Sequence, residues 1–248
     1  MKILILDVID FTANLCALNN VSKVMSHRIG QPFEFTAQKL HENDLIEEEI
    51  AAADKIIISG SARSAYEDFH WKPRLERALQ LILESGKPTY AICFGAQFVA
   101  QALGGEVIRN PNGTEFGAVQ IQLTEAGKEH PLLQGLQEED RVHATHNDRV
   151  ERLPEGAVLL AYNDNSPVQA YQYRNIFASQ FHPDLPSENL EYLLELRKER
   201  YMASGFLRDE DHYQEIRSSL PQGEAAYDIL EKFLDFDAAL TIEKSFTL

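Results

Sequence analysis

The stretch Pro88–Thr89–Tyr90–Ala91–Ile92–Cys93–Phe94–Gly95–Ala96–Gln97 limits the fold more than any other part of the chain. Its first half is an apolar run after the break Gly86–Lys87–Pro88 and reads as a buried strand. The sequence passes without a loop into Phe98–Val99–Ala100–Gln101–Ala102–Leu103, a short helix that stops at a glycine C-cap, Gly104–Gly105. Cys93 falls at a tight strand-to-helix turn, where a fold can hold one side chain up into a cleft. A sulfur there faces the positive end of a helix, which favours the thiolate. The alternative is a small buried hydrophobe, the ordinary fate of a free cysteine.

Around this turn, apolar runs alternate with helical patterns. Ile3–Asp7, Phe33–Thr36 and Asp54–Ile58 read as strands, the last ending in the turn Ser59–Gly60–Ser61. Helices are expected over roughly Asn14–His27, Leu45–Ala53 and Lys72–Ser85, the last with Leu75, Ala78, Leu79 and Ile82 on one face. Strand–helix alternation over the first hundred residues implies an α/β fold with a doubly wound, mostly parallel open sheet. After Gly105, short strands are expected at Glu106–Arg109, Ala118–Leu123, Arg141–Thr145, Ala157–Tyr162, Val168–Tyr173 and Ile176–Gln180, as a mixed sheet extending the first. Ser187 reads as the N-cap of a helix to about Ser204, followed by helices over Arg208–Ser219 and Glu224–Phe236. The organisation expected is one α/β domain over 1–203 and a C-terminal helical extension over 204–248, read as an amphipathic lid on the domain in preference to a partner-docking element.

The two cysteines, Cys16 and Cys93, fit no disulfide framework and no metal-ligand spacing; no metal and no cofactor is expected. The N-terminus enters a strand directly, and no apolar run approaches membrane-spanning length. A reducing cytoplasm is the expected home. A net charge of −16 argues against nucleic acid and against an anionic membrane surface as partner.

A nucleophilic cysteine needs a base, commonly histidine, and the base an orienting group. Of the eight histidines, His182 follows the apolar run Ile176–Phe181 and precedes Pro183–Asp184, which sets it at a strand end. In an open parallel sheet the cleft lies outside the carboxyl ends of the strands, the edge expected for Cys93. Asp184, two residues on, is close enough to accept a hydrogen bond from the second imidazole nitrogen. His27, His41, His70 and His212 sit in polar contexts and read as surface residues, and His130 as the start of a turn at Pro131.

Cys93-x-Gly95-x-Gln97 resembles the C-x-G-x-Q elbow of the class I (triad-type) glutamine amidotransferases. Gln180–Phe181–His182–Pro183–Asp184 resembles that family's Q-F-H-P-E motif, with aspartate for glutamate. Between them, Thr114–Glu115–Phe116–Gly117 is similar to the family's E-x-G turn. Thr145–His146–Asn147–Asp148–Arg149–Val150 is similar to its S-H-G-D-x-V segment, with asparagine for glycine. Ile58–Ser59–Gly60–Ser61 takes the place of the G-G-P-type loop. Ser64–Ala65–Tyr66–Glu67–Asp68 and Trp71–Lys72–Pro73 look like the stand-alone GMP-synthase-like amidotransferases and the γ-glutamyl peptidase group.

The resemblance implies that Cys93 attacks the γ-carbonyl of glutamine or another γ-glutamyl compound to form a thioester. It implies that His182 moves the proton, that Asp184 orients the imidazole, and that backbone N–H groups of Gly60 and Phe94 form an oxyanion hole. Gln97, Glu115, His146, Asn147 and Asp148 are implied to hold the glutamyl head group. Gly60–Ser61–Ala62–Arg63–Ser64 is no P-loop, since the closing Gly-Lys-Ser/Thr is missing, and no synthetase domain is expected in this chain. Three functions remain open. The first is an amidotransferase working alone or with a separate acceptor or synthetase subunit; the second is a γ-glutamyl peptidase or hydrolase. The third is a non-catalytic binding protein on the same fold.

Overall fold

The apolar runs of the first half are buried strands because both of their faces find partners. In the computed structural model, which describes residues 1–10, 15–26 and 33–235, β1 (Lys2–Asp7), β2 (Glu34–Lys39), β3 (Lys55–Ile58) and β4 (Thr89–Ile92) are parallel neighbours in the order β2-β1-β3-β4. Between them run α1 (Ala17–Ser26), α2 (Glu47–Ala52) and α3 (Lys72–Ser85), and α4 (Phe94–Ala102) follows β4 directly.

The period of two along each strand sorts side chains onto two layers. Ile3, Ile5, Ile57, Tyr90 and Ile92 face one cluster with Val21 and Val24 of α1, while Leu4, Leu6, Ile56, Ile58 and Ala91 face another with Leu75 and Ile82 of α3. Helices thus cover both faces, as doubly wound architecture requires. The α3 boundaries agree with the sequence reading, and Gly86 caps the helix in the left-handed region at φ 65°.

The second half divides. Among its strands are β5 (Glu106–Arg109), β6 (Glu115–Gln120), β7 (Gln122–Leu123), β8 (Arg141–His146), β9 (Asp148–Arg152), β10 (Val158–Tyr162), β11 (Ala170–Tyr173) and β12 (Ile176–Ser179), with a short α5 (Glu125–Glu129) after β7. β12 joins β4 in parallel, and β11, β10 and β7 continue the sheet antiparallel to eight strands among the described residues. The expectation that all these strands extend the sheet is corrected by the pairing. Among the described residues, β5 pairs with β9 and β6 with β8, as separate two-stranded ribbons. The expected single strand Ala118–Leu123 is divided between β6 and β7 at Ile121.

The expected helix from Ser187 to Ser204 is two helices, α6 (Ser187–Leu196) and α7 (Lys198–Ala203), because Arg197 leaves helical geometry at φ −103°, ψ 2°. Pro186, not Ser187, is the N-cap residue, and the Ser187 hydroxyl donates to Glu224 instead. α8 (Glu210–Ser219), a 3₁₀ turn over Leu220–Gly223 and α9 (Tyr227–Asp235) complete the described chain. Ile229, Leu230, Phe233 and Leu234 of α9 are buried against the α1 face, with Phe233 edge-on to Tyr90 at 5.5 Å. The Lys55 ammonium, itself buried, donates to the carbonyls of Phe233 and Leu234 at 2.7 Å each, capping the end of α9. The amphipathic stripe of α9 is therefore core. His27 and the segment 236–248 lie outside the described residues.

Candidate active site

Three neighbouring parallel strands deliver three turns to one edge. Register aligns Ile58 of β3 with Ala91 of β4 and Ala178 of β12. Two residues beyond that row stand Gly60, Cys93 and Gln180, and two further on His182.

Cys93 turns the chain from β4 into α4 with φ 51° and ψ −104°, a conformation L-residues rarely occupy and which costs about 1–3 kcal/mol. The strain is held by bonds on both sides: Cys93 N–H donates to Ser179 at 2.7 Å, and its carbonyl accepts from Gln97 N–H at 3.0 Å. Gly95 is required because a Cβ there would lie 2.7 Å from the Ile58 carbonyl oxygen, so α4 starts flush against the end of β3. Gly60 presents bare backbone to the site, since a Cβ on it would come within 3.0 Å of His182 Cε1 and 3.7 Å of Cys93 Cβ. Phe94 opens α4, where backbone N–H groups have no acceptor within the helix.

His182 is held by its own backbone, whose N–H donates to the His143 carbonyl at 2.8 Å. Its Nδ1 lies 3.0 Å from Asp184 Oδ1, so the shorter aspartate reaches the ring. Its Nε2 is buried. Burial alone would pull the imidazole down. The negative charge of a Cys93 thiolate and the Asp184 carboxylate outweigh it and push His182 up to about 10.

The structure also places Gln180 against Cys93. Gln180 Nε2 donates to Cys93 Sγ at 3.5 Å, and its carbonyl end accepts from Gln97 Nε2 at 2.9 Å. Gln97 Nε2 also reaches the Asp148 carbonyl at 2.9 Å. Both glutamines are buried. Gln180 stands in the quoted motif, but nothing in its sequence neighbours says that its amide turns toward sulfur.

Of the expected head-group residues, Gln97, His146, Asn147 and Asp148 line a polar chamber beside Cys93. The Asp148 carboxylate is tied to the Ser64 hydroxyl and lies 3.4 Å from the Tyr66 hydroxyl and 3.6 Å from Arg109. Asn147 accepts from the Thr114 hydroxyl at 2.8 Å. Glu115 does not line that chamber. Its carboxylate is buried, accepting from Asn163 and Gln169 at 2.7 Å each and lying 2.7 Å from His146 Nε2, whose Nδ1 faces the Asp148 carbonyl at 2.9 Å. Burial pushes Glu115 up, but these partners outweigh it and hold it below the usual carboxylate range. Glu115 thus fixes His146, and through it the turn into Asp148.

Sequence reading passed over His143. Its buried ring sits between the carbonyls of Leu185 at 3.0 Å and Leu220 at 2.7 Å, tying the His182 loop to the turn between α8 and α9. Among the described residues no group of three or more His, Cys, Asp or Glu is placed to hold a metal, and no helix is long and apolar enough to cross a membrane.

Comparison with known proteins agrees with the fold. A GMP synthase [glutamine-hydrolyzing] of Aeropyrum pernix is 35% identical over 143 residues, covering 57% of this chain and 26% of that protein. The Chromobacterium violaceum protein of the same name is 34% identical over 180 residues, covering 67% of this chain and 32% of that one. The chain therefore spans about a quarter to a third of the curated relatives it matches. In fold, a glutamine amidotransferase from Thermotoga maritima superposes with a TM-score of 0.76 at 17% identity, over 94% of this chain and 96% of that one. A glutamine amidotransferase from Methylobacillus flagellatus gives 0.66 at 17% identity, over 100% and 98%. The family profile described as glutamine amidotransferase class-I matches residues 18–195, which hold Cys93, His182 and Asp184. The chain belongs to the class-I glutamine amidotransferase family.

Proposed function

We propose that the chain hydrolyses the γ-amide of glutamine through a γ-glutamyl thioester on Cys93, with His182 and Asp184 completing the triad. The observation that carries this reading is the convergence of a strained, buried cysteine, an imidazole held by Asp184 and a bare glycine turn at the ends of three adjacent strands.

Cys93 Sγ attacks the γ-carbonyl carbon, and the negative charge moves onto the carbonyl oxygen. Backbone N–H groups of Gly60 and Phe94 receive that oxygen, each such donor being worth about 2.7–4 kcal/mol in a comparable hydrolase. His182 gives its proton to the departing nitrogen, the C–N bond breaks, and the thioester remains. Water activated by the now neutral His182 attacks the thioester, returning glutamate and free Cys93. Asp184 holds the imidazole through Nδ1 so that Nε2 is the atom that gives and takes the proton. Gln97, Asn147, Asp148 and His146 shape the chamber for the charged α-amino acid head, with Glu115 acting behind His146.

The reduced thiol that this chemistry requires suits the cytoplasm expected from the sequence. The relatives are named for GMP synthesis and are three to four times the length matched here, so the reading includes transfer of ammonia to a separate synthetase or other acceptor protein. Hydrolysis of other γ-glutamyl amides uses the same residues and differs in the leaving amine. The test is glutamate release from glutamine and from γ-glutamyl dipeptides by wild type and Cys93→Ser. Release by wild type and none by the variant supports the reading; release by both, or by neither, rejects it.

A further inference from the structure

Cys93 stands at the junction of two chambers that differ in chemistry. Cys93, Ser61, Thr145 and Arg197 line both. The first is polar and charged, with Gln97, Asp148, Arg63, Arg109 and Arg200 on its walls. The second holds His182 and Asp184, and beside Asn20 and Gly60 its remaining wall is aliphatic: Ile9, Leu15, Leu185 and Leu193. Leu15, Leu185 and Leu193 belong to the apolar cluster that α6 and α7 build over this end of the sheet, so the wall is a firm surface.

The direction of the substrate follows from the proton. His182 protonates the leaving nitrogen, so whatever that nitrogen carries points into the His182 chamber, and the acyl part extends the other way. The arginines and Asp148 suit a zwitterionic head group bearing one carboxylate and one ammonium. Glutamine fills that side, yet brings only an –NH2 group to the aliphatic side. Ammonia gains nothing from contact with four aliphatic side chains; an alkyl group on nitrogen does.

We infer that the His182 chamber is a leaving-group subsite for an apolar amine, making γ-glutamyl amides with a small aliphatic substituent on nitrogen the preferred substrates. This rests on the Cys93 thioester reading and specifies its substrate class. The reaction is balanced by water alone: the C–N bond breaks, nitrogen takes the His182 proton and leaves as an amine, and water cleaves the thioester to glutamate.

Glutamine, γ-glutamyl methylamide, ethylamide and butylamide are compared by kcat/KM for glutamate release. Each methylene buried raises kcat/KM by about fourfold, the transfer value of one CH2 group. In parallel, γ-glutamyl-leucine and γ-glutamyl-glutamate separate amino acid leaving groups from simple amines. The leucine compound exceeds the glutamate compound at least about tenfold, the discrimination an apolar pocket provides. A γ-glutamyl-leucine rate above that of the butylamide assigns the subsite to an apolar amino acid, and the reverse to a simple amine; either supports the inference. Leu193→Asn lowers the butylamide-to-glutamine ratio about tenfold, a ratio independent of how much variant is folded. A fall in kcat/KM with each added carbon while glutamine remains a substrate, or an unchanged ratio in the variant, overturns the apolar subsite alone. No glutamate from any compound overturns the thioester reading as well.

Discussion

Gln180 donates through Nε2 to the sulfur of Cys93 at 3.5 Å and accepts through its carbonyl oxygen from Gln97 at 2.9 Å. The amide cannot flip without breaking both contacts, so a donor is kept on the Cys93 sulfur. Hydrogen bonds to charged groups contribute about 1.5–3 kcal/mol. Gln180→Leu therefore slows alkylation of Cys93 by a glutamine-mimicking electrophile about 10- to 100-fold, read as an inactivation rate at fixed pH. Gln180→Glu, which presents an acceptor to sulfur, slows it further.

The charges of Cys93 and Asp184 together set the basic limb expected of the pH profile. The opposite charges around His182 raise it to about 10, so the imidazole keeps its proton until the solution passes that pH. The general acid is lost on the alkaline side, and kcat/KM declines near pH 10. Asp184→Asn removes one of the raising charges, so the limb moves toward neutrality and activity falls without vanishing. A pH–rate profile of the two proteins reads both effects.

His130 is buried and its ring faces Gln172 at 3.2 Å. Burial, partly opposed by that hydrogen bond, pushes it down to about 4. An unfolded histidine titrates near 6.5, so between about 6.5 and 4 the unfolded chain takes up a proton that the folded chain refuses. Stability from this group is present at neutral pH and is lost as pH falls through that window, by on the order of 3 kcal/mol. His130→Gln flattens this part of the stability–pH curve, measured by urea unfolding from about pH 7 to about pH 4.

Gly223 couples the C-terminal turn to the site. A Cβ there would lie 2.0 Å from His143 Cδ2, and the His143 carbonyl holds the His182 backbone. Gly223→Ala forces His143 to shift, with a stability loss of about 1–3 kcal/mol typical of overpacking. Because the shift reaches His182, kcat falls while the substrate head-group contacts, and so KM, change little. Denaturant unfolding and steady-state kinetics separate the two consequences.

What could be read in the sequence follows from where the information is local. Buried parallel strands are short apolar runs, so β1, β3, β4 and β12 are visible, and the helical spacing of Leu75, Ala78, Leu79 and Ile82 marks α3 on its observed bounds. The Cys93 turn is visible because strand, glycine and helix abut. β9 is hidden because Asp148–Arg152 is mostly charged, and its pairing of Val107 with Val150 joins segments that carry no mark of each other. His143 lies in an ordinary strand sequence, and its partners are 42 and 77 residues away. The Gln180–Cys93 contact depends on a side-chain orientation that only packing decides. The same holds for Glu115, whose three partners fix it behind His146.

The central claim is that Cys93 carries the γ-glutamyl group. Acid quenching of the enzyme during turnover of glutamine, followed by peptide mass analysis, tests it most directly. The account expects a γ-glutamyl adduct on the peptide containing Cys93, absent from that containing Cys16 and lost in Cys93→Ser. Glutamate released with no adduct on Cys93, at quench times shorter than one turnover, contradicts it.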